Sequence, residues 1–198
     1  LFNEKNIDNR FIKNFKEEFN LENKFVVSSV GRVTQLKDYE TFIKAILLAK
    51  KEIPNVVGLI VGGVRSDKED YLKSLKSLIK ELDLENNIIF TGSQSKIEQI
   101  YALSDVVISS SKKPESFGRA VAEAICMNKP VIATNHGGVK DIIIKNINGF
   151  FFEVSNDKEL ADNILKSRVL KFDGYTYISN NFSLENMVNK TLEVYRNL

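Results

Sequence analysis

The 198-residue sequence carries 28 basic and 26 acidic side chains, a net charge of +2, and is 43% hydrophobic. That length and apolar content suit one domain with a sizeable core, while interspersed charges of so small a surplus exclude a charge-driven nucleic-acid or membrane binder. A single cysteine, Cys126, excludes internal disulfides and suits a reducing compartment; with no signal peptide visible and apolar runs far below the roughly 20 residues of a membrane span, a cytoplasmic location is expected.

In chain order, the first twenty residues read as weakly organised. Phe25-Val26-Val27-Ser28-Ser29-Val30 reads as a buried strand ending at Gly31, and a helix over 38–51 turns Phe42, Ala45, Ile46 and Ala49 to a core. Val56 to Val61 is a second strand, closed by Gly62-Gly63. Tyr71, Leu72, Leu75, Leu78 and Ile79 mark an amphipathic helix, and residues 87–92 form a short third strand. Ser95 is placed to cap the helix that contains Ile97, Ile100 and Tyr101. Strands follow at Val106-Val107-Ile108, Val131-Ile132-Ala133 and Gly149-Phe150-Phe151-Phe152, with helices after Gly118, over 139–144, 157–170 and 183–196. Residues 171–181 read as weakly organised. The alternation predicts an α/β fold: a Rossmann-like, doubly wound sheet of about six parallel strands with helices on both faces.

Such a sheet binds ligands at the carboxyl ends of its strands. Gly31, Arg32 and Lys37 follow the first strand, Gly62-Gly63 the second, and Gly92, Ser93 and Gln94 the third. After the fourth comes Lys112-Lys113-Pro114-Glu115-Ser116-Phe117-Gly118, which opens a helix carrying Glu123; after the fifth comes His136-Gly137-Gly138. Helix N-termini attract anions, whereas carboxylates accept hydrogen bonds from hydroxyls. A ligand with both phosphate and hydroxyl groups, such as a nucleotide-sugar, satisfies both.

Other chemistries fit poorly. There is no Gly-x-Gly-x-x-Gly after a strand, no P-loop and no Gly-x-Ser-x-Gly elbow. One His and one Cys make a zinc cluster or a Cys-His dyad untenable, and the absence of Asp-x-Asp removes the usual metal clamp for a sugar diphosphate. Positive side chains must then hold a pyrophosphate, and Arg32 and Lys37 meet that need: a planar fork and a mobile point charge. The bland readings are surface charges for Arg32 and Lys37, a dipole contact for Glu115, and an i,i+4 partner of Arg119 for Glu123. His136 reads as a turn contact, with a phosphate or sugar contact as the alternative. Cys126 reads as a buried structural thiol.

These residues resemble the retaining glycosyltransferases of the large family 4, of GT-B fold. Glu115-Ser116-Phe117-Gly118 with Glu123 resembles the Glu-x7-Glu signature. Val30-Gly31-Arg32 with Lys37 resembles the phosphate-binding segment, and Phe90-Thr91-Gly92, Ser104-Asp105-Val106 and Lys129-Pro130-Val131-Ile132-Ala133-Thr134 recur in similar order. The resemblance covers residues 24–198 and implies the nucleotide-sugar-binding half of a GT-B enzyme, C-terminal helix included. Residues 1–23 become a lead-in from an N-terminal acceptor domain that the sequence does not contain.

The resemblance implies a hexosyltransferase half, inactive alone, in an enzyme that moves a hexose-type sugar from a UDP- or GDP-sugar to a glycan or lipid-linked acceptor. Cell-envelope polysaccharide synthesis is the expected setting. No metal or other cofactor is expected, and no nucleic acid partner; peripheral membrane contact is expected only through the other half. Arg32, Lys37 and Glu115 would be catalytic. Gly31, Gly92, Gln94, Ser116, Phe117, Gly118 and Glu123 would bind the donor, with Gly92 to Gln94 near the base. Asp38 stands where the family usually has glycine, which would tilt the loop, and Asp141 where glutamate commonly follows the Gly-Gly turn. The alternatives are a non-catalytic interaction module and another GT-B enzyme such as a sugar-nucleotide epimerase.

Overall fold

A computed structural model gives the fold and describes residues 2–196. Leu1, and Asn197 and Leu198 at the end of the expected 24–198 domain, lie outside the described residues. Six strands, β1 (Phe25–Val30), β2 (Val56–Val61), β3 (Ile88–Gly92), β4 (Val106–Ser109), β5 (Val131–Thr134) and β6 (Gly149–Phe152), form one parallel sheet in the order β3-β2-β1-β4-β5-β6. Central strands of a parallel sheet are buried on both faces, so they need unbroken apolar runs. β2 shows this, with all six residues buried.

The helices are α1 (Asn9–Glu18), α2 (Tyr39–Ala49), α3 (Glu69–Glu81), α4 (Ile97–Leu103), α5 (Arg119–Cys126), α6 (Val139–Ile142), α7 (Asp157–Ser167), α8 (Gly174–Phe182) and α9 (Leu184–Arg196). Phe42 and Ile46 of α2, Tyr71 and Leu75 of α3, and Leu160 and Ile164 of α7 share one buried core with the sheet. The other cores take Val121 and Ile125 of α5, Val139 of α6, Ile100 of α4 and Phe15 of α1. Helices therefore cover both faces, as expected. The strand order reverses between β1 and β4, which stay parallel, so their following loops run to opposite sides and leave a crevice at the carboxyl edge.

Three expectations are corrected. Residues 9–18 form α1, capped by Asp8 Oδ1 on the Phe11 amide (3.0 Å) and packed through the buried Phe15. Asp8 is also tied to α4 by its amide to Gln99 Oε1 (2.8 Å) and by Lys96 Nζ (2.9 Å). Residues 174–182 form α8, which seats Gly174 directly against the Ile125 carbonyl. Ser95 does not cap α4; Lys96 takes that position without a side-chain bond, because α4 is fixed by packing of Ile100 and Tyr101. The last helix, α9, buries none of its residues.

Candidate functional site

The crevice is a cleft of about 680 Å³ bounded by the end of β1, the loop after it, α4, the β4–α5 loop and α5. Gly31 lets β1 finish beside Gly62, where a Cβ would lie 2.0 Å from the Gly31 carbonyl oxygen. Gly62 in turn donates its amide to the Gly92 carbonyl (2.9 Å), so three glycines end adjacent strands at one level. Arg32 leaves this row with its side chain exposed, and a 3₁₀ turn (Gln35–Lys37) carries Lys37 toward the β4–α5 loop.

There Lys37 Nζ meets Glu115 Oε1 at 2.5 Å, both side chains 26% exposed. Ser111 Oγ donates to the same carboxylate oxygen (2.7 Å). Burial pushes the Glu115 carboxyl up, but the bonds from Lys37 and Ser111, with the charges of Lys37 and His136, hold it below the ordinary range. Glu115 is thus ionised and aimed at a cation while hydroxyl-accepting capacity remains on its second oxygen.

The β4–α5 loop owes its shape to glycines. Gly118 caps α5 in left-handed backbone (φ 90°), and Gly138 donates its amide to the Glu115 carbonyl (2.8 Å). A Cβ on Gly138 would stand 2.4 Å from the Ser116 carbonyl oxygen. His136 joins this support from across the loops, its Nε2 lying 2.8 Å from the Ser111 carbonyl oxygen. Cys126 is buried, and its thiol donates to the Phe2 carbonyl (3.1 Å).

Deeper along α5, Glu123 Oε2 accepts from the Tyr101 hydroxyl at 3.1 Å. Burial raises the Glu123 carboxyl above its ordinary value, opposed by Tyr101 and the charge of Arg119. Basic groups at the strand ends, an ionised acid beside them and a desolvated acid further in make a cleft for a ligand with anionic and hydroxylated parts. Among the described residues no three His, Cys, Asp or Glu side chains gather closely enough to hold a metal ion. None of the described helices is long and apolar enough to cross a membrane.

The sequence pattern of the glycosyl transferases group 1 family matches residues 11–168. The chain belongs to that family. Among curated relatives, an uncharacterized glycosyltransferase of Methanocaldococcus jannaschii is 28% identical over 195 residues, 94% of this chain and 48% of its own length. Mannosylfructose-phosphate synthase of Agrobacterium fabrum is 29% identical over 80% of this chain and 37% of its own. HepE of Anabaena, crystallised with UDP, superposes with a TM-score of 0.87 at 28% identity, over 96% of this chain and 54% of HepE. HepE with UDP-glucose gives a TM-score of 0.85. The isolated C-terminal domain of LpcC from Francisella tularensis shares the fold (TM-score 0.74, 23% identity, 85% of this chain and 93% of that one). The group 1 chain described here therefore spans about half the length of the curated relatives it matches and has the fold of the C-terminal half of a GT-B glycosyltransferase.

Of the residues singled out in the sequence, Gly31, Arg32, Lys37, Glu115, Ser116, Phe117, Gly118 and Glu123 all line the cleft. Gly92 and Gln94 are not part of its lining; Gln94 Nε2 folds back on the Thr91 carbonyl (2.9 Å). Tyr101 lines the cleft and was not foreseen there, because its position in an apolar helix face marks it only as core.

Proposed function

We propose that this chain is the donor-binding half of a retaining glycosyltransferase that uses a UDP-sugar. The observation that carries the reading is the Lys37–Glu115 pair set between Arg32 and the start of α5. Arg32 and Lys37 take the diphosphate. When the sugar–oxygen bond breaks, its electron pair passes to the diphosphate, and these cations stabilise the charge that develops. Glu115 accepts from sugar hydroxyls, Glu123 from the ribose, and amides at Ser116 to Gly118 meet sugar or phosphate oxygens. Gly92 and Gln94 flank the base.

HepE, similar over nearly the whole chain, was crystallised with UDP and with UDP-glucose, which favours uridine over guanine nucleotides and a hexose as the transferred group. Coverage of only 48% or less of the first curated relatives supports an acceptor site carried elsewhere, for a glycan or lipid-linked acceptor. Transfer by this half alone would be negligible. The test is calorimetry with UDP, GDP, ADP and UDP-glucose. Micromolar to millimolar binding is expected, weakened about 10–100-fold by Arg32→Ala or Lys37→Ala, the worth of a charge-assisted hydrogen bond. Binding of no nucleotide, or binding indifferent to both substitutions, overturns the reading.

A further inference from the structure

Asp38 follows Lys37 in left-handed backbone (φ 50°, ψ 51°) and is 1% exposed. Left-handed backbone is unfavourable for a non-glycine residue, less so for Asp or Asn, and a buried carboxylate is costly unless fully bonded. Glycine would meet the first requirement at no expense, and the family resemblance leads one to expect it. The turn alone therefore does not explain the carboxylate.

Its partners do. Asp38 Oδ2 accepts from Thr41 Oγ1 (2.8 Å) and from Ser155 Oγ (3.0 Å), and Oδ1 faces Lys112 Nζ at 3.1 Å. One side chain thus joins the first turn of α2, the β6–α7 turn and the β4–α5 loop. Two more bonds close the same seam: Ser110 Oγ donates to the Lys37 carbonyl (2.6 Å), and the Lys112 amide donates to the Leu36 carbonyl (2.8 Å). Lys37 stands immediately before Asp38, and Glu115 three residues after Lys112. The brace spans the base of the two loops whose tips carry the ion pair.

We infer that Asp38 is a positioning residue: locked to Lys112, it holds the β1–α2 and β4–α5 loops at the separation that pairs Lys37 with Glu115 and readies both for the donor. The inference rests on the donor-binding reading above. It gives the buried charge a task in place of the tilt expected from losing glycine, since the loop is held by four bonds from neighbouring segments. Lys112 reaches Asp38, although in sequence it is only one of two adjacent loop lysines.

The experiment pairs a carboxyl-carbon NMR titration of Glu115 in the ligand-free chain with UDP-glucose calorimetry, on the parent, Asp38→Asn and Lys112→Met. Asparagine tolerates left-handed backbone and can keep both hydroxyl bonds, so Asp38→Asn removes little but the charge. In the parent, Glu115 should titrate below the ordinary carboxylate range. In both variants it should move up toward that range, with UDP-glucose affinity falling about tenfold, the effect expected of one displaced charged contact. If Asp38→Asn does not fold, Lys112→Met decides alone. Unchanged Glu115 titration overturns the inference even where melting temperature falls, because a merely structural brace would leave the pair intact. A parent that ignores UDP-glucose, with Glu115 still responding to the variants, upholds the brace and sinks the donor reading instead.

Discussion

Tyr101 donates its hydroxyl hydrogen to Glu123 at 3.1 Å, joining α4 to α5 inside the cleft. Burial raises the pKa of both groups. Glu123 lies on a helix whose neighbours Ala122, Val121, Ala124 and Ile125 are buried, so its charge is poorly solvated when the cleft is empty. A carboxyl whose folded-state pKa is raised lends most stability below its unfolded value, and that contribution declines as pH rises through the folded value. At neutral pH the ionised side chain works against the fold.

Glu123→Gln should therefore act with opposite signs on stability and binding. Removing the desolvated charge should raise the melting temperature at pH 7 modestly, because solvent screens part of this half-buried carboxylate. The gain should shrink on acidification, where Glu123 is protonated anyway. UDP affinity should fall about 10–100-fold, as expected when a charged acceptor of ribose hydroxyls is lost. Thermal melts against pH, with calorimetry at pH 7, check both signs; a variant less stable than the parent at neutral pH would show that the charge is well accommodated.

Glu115 has the reverse linkage. Its folded-state pKa is lowered, so the pair with Lys37 contributes stability above the ordinary value of 4.5 and loses it as pH falls through the lower folded value. Glu115→Gln should cost ~1 kcal/mol at neutral pH, and the gap to the parent should close below that range. Melting curves between neutral and strongly acid pH measure this gap, and a constant offset across the range would contradict the linkage.

What was legible in the sequence was what local pattern encodes. β2 is six apolar or glycine residues between turns, and a buried parallel strand has no other requirement. That Arg32, Lys37 and Glu115 share one cleft was legible because they lie in the loops after β1 and β4, and the doubly wound order brings those loops together. Tyr101–Glu123 and Asp38–Ser155 were not, since they join residues 22 and 117 positions apart through side chains that local pattern assigns to core or turn. α1 and α8 were hidden for an energetic reason. α8 begins with glycine and ends in Asn180, Asn181 and Phe182, residues of modest helix propensity, so docking rather than propensity decides it.

Gly174 is where that docking can be tested. A Cβ there would lie 1.8 Å from the Ile125 carbonyl oxygen and 2.9 Å from the Phe172 ring, and its amide bonds Asn128 Oδ1 at 2.8 Å. Gly174→Ala should destabilise by ~1–3 kcal/mol through overpacking and speed hydrogen exchange across α8. UDP affinity should change less than stability, because no residue of α8 lines the cleft itself and its Phe182 meets the lining residue Phe117 edge-on. Exchange mass spectrometry reads the helix directly; protection of 174–182 equal to the parent's would mean that α5 and α8 can yield.

Gly138 tests the loop itself. Its φ is an ordinary −64°, so backbone freedom does not explain the glycine. Space does: a Cβ would come within 2.4 Å of the Ser116 carbonyl oxygen and 2.8 Å of the Phe117 Cα, both backbone atoms with no rotamer to yield. Gly138→Ala must push the 115–117 segment outward and stretch the 2.8 Å bond from its own amide to the Glu115 carbonyl. The expected cost is ~1–3 kcal/mol in stability. Because this segment is proposed to meet the sugar while Arg32 lies on the opposite wall, UDP-glucose should lose more affinity than UDP. Calorimetry of both ligands on the parent and on Gly138→Ala measures the difference. An equal loss for UDP and UDP-glucose in Gly138→Ala would move the sugar contact away from this loop.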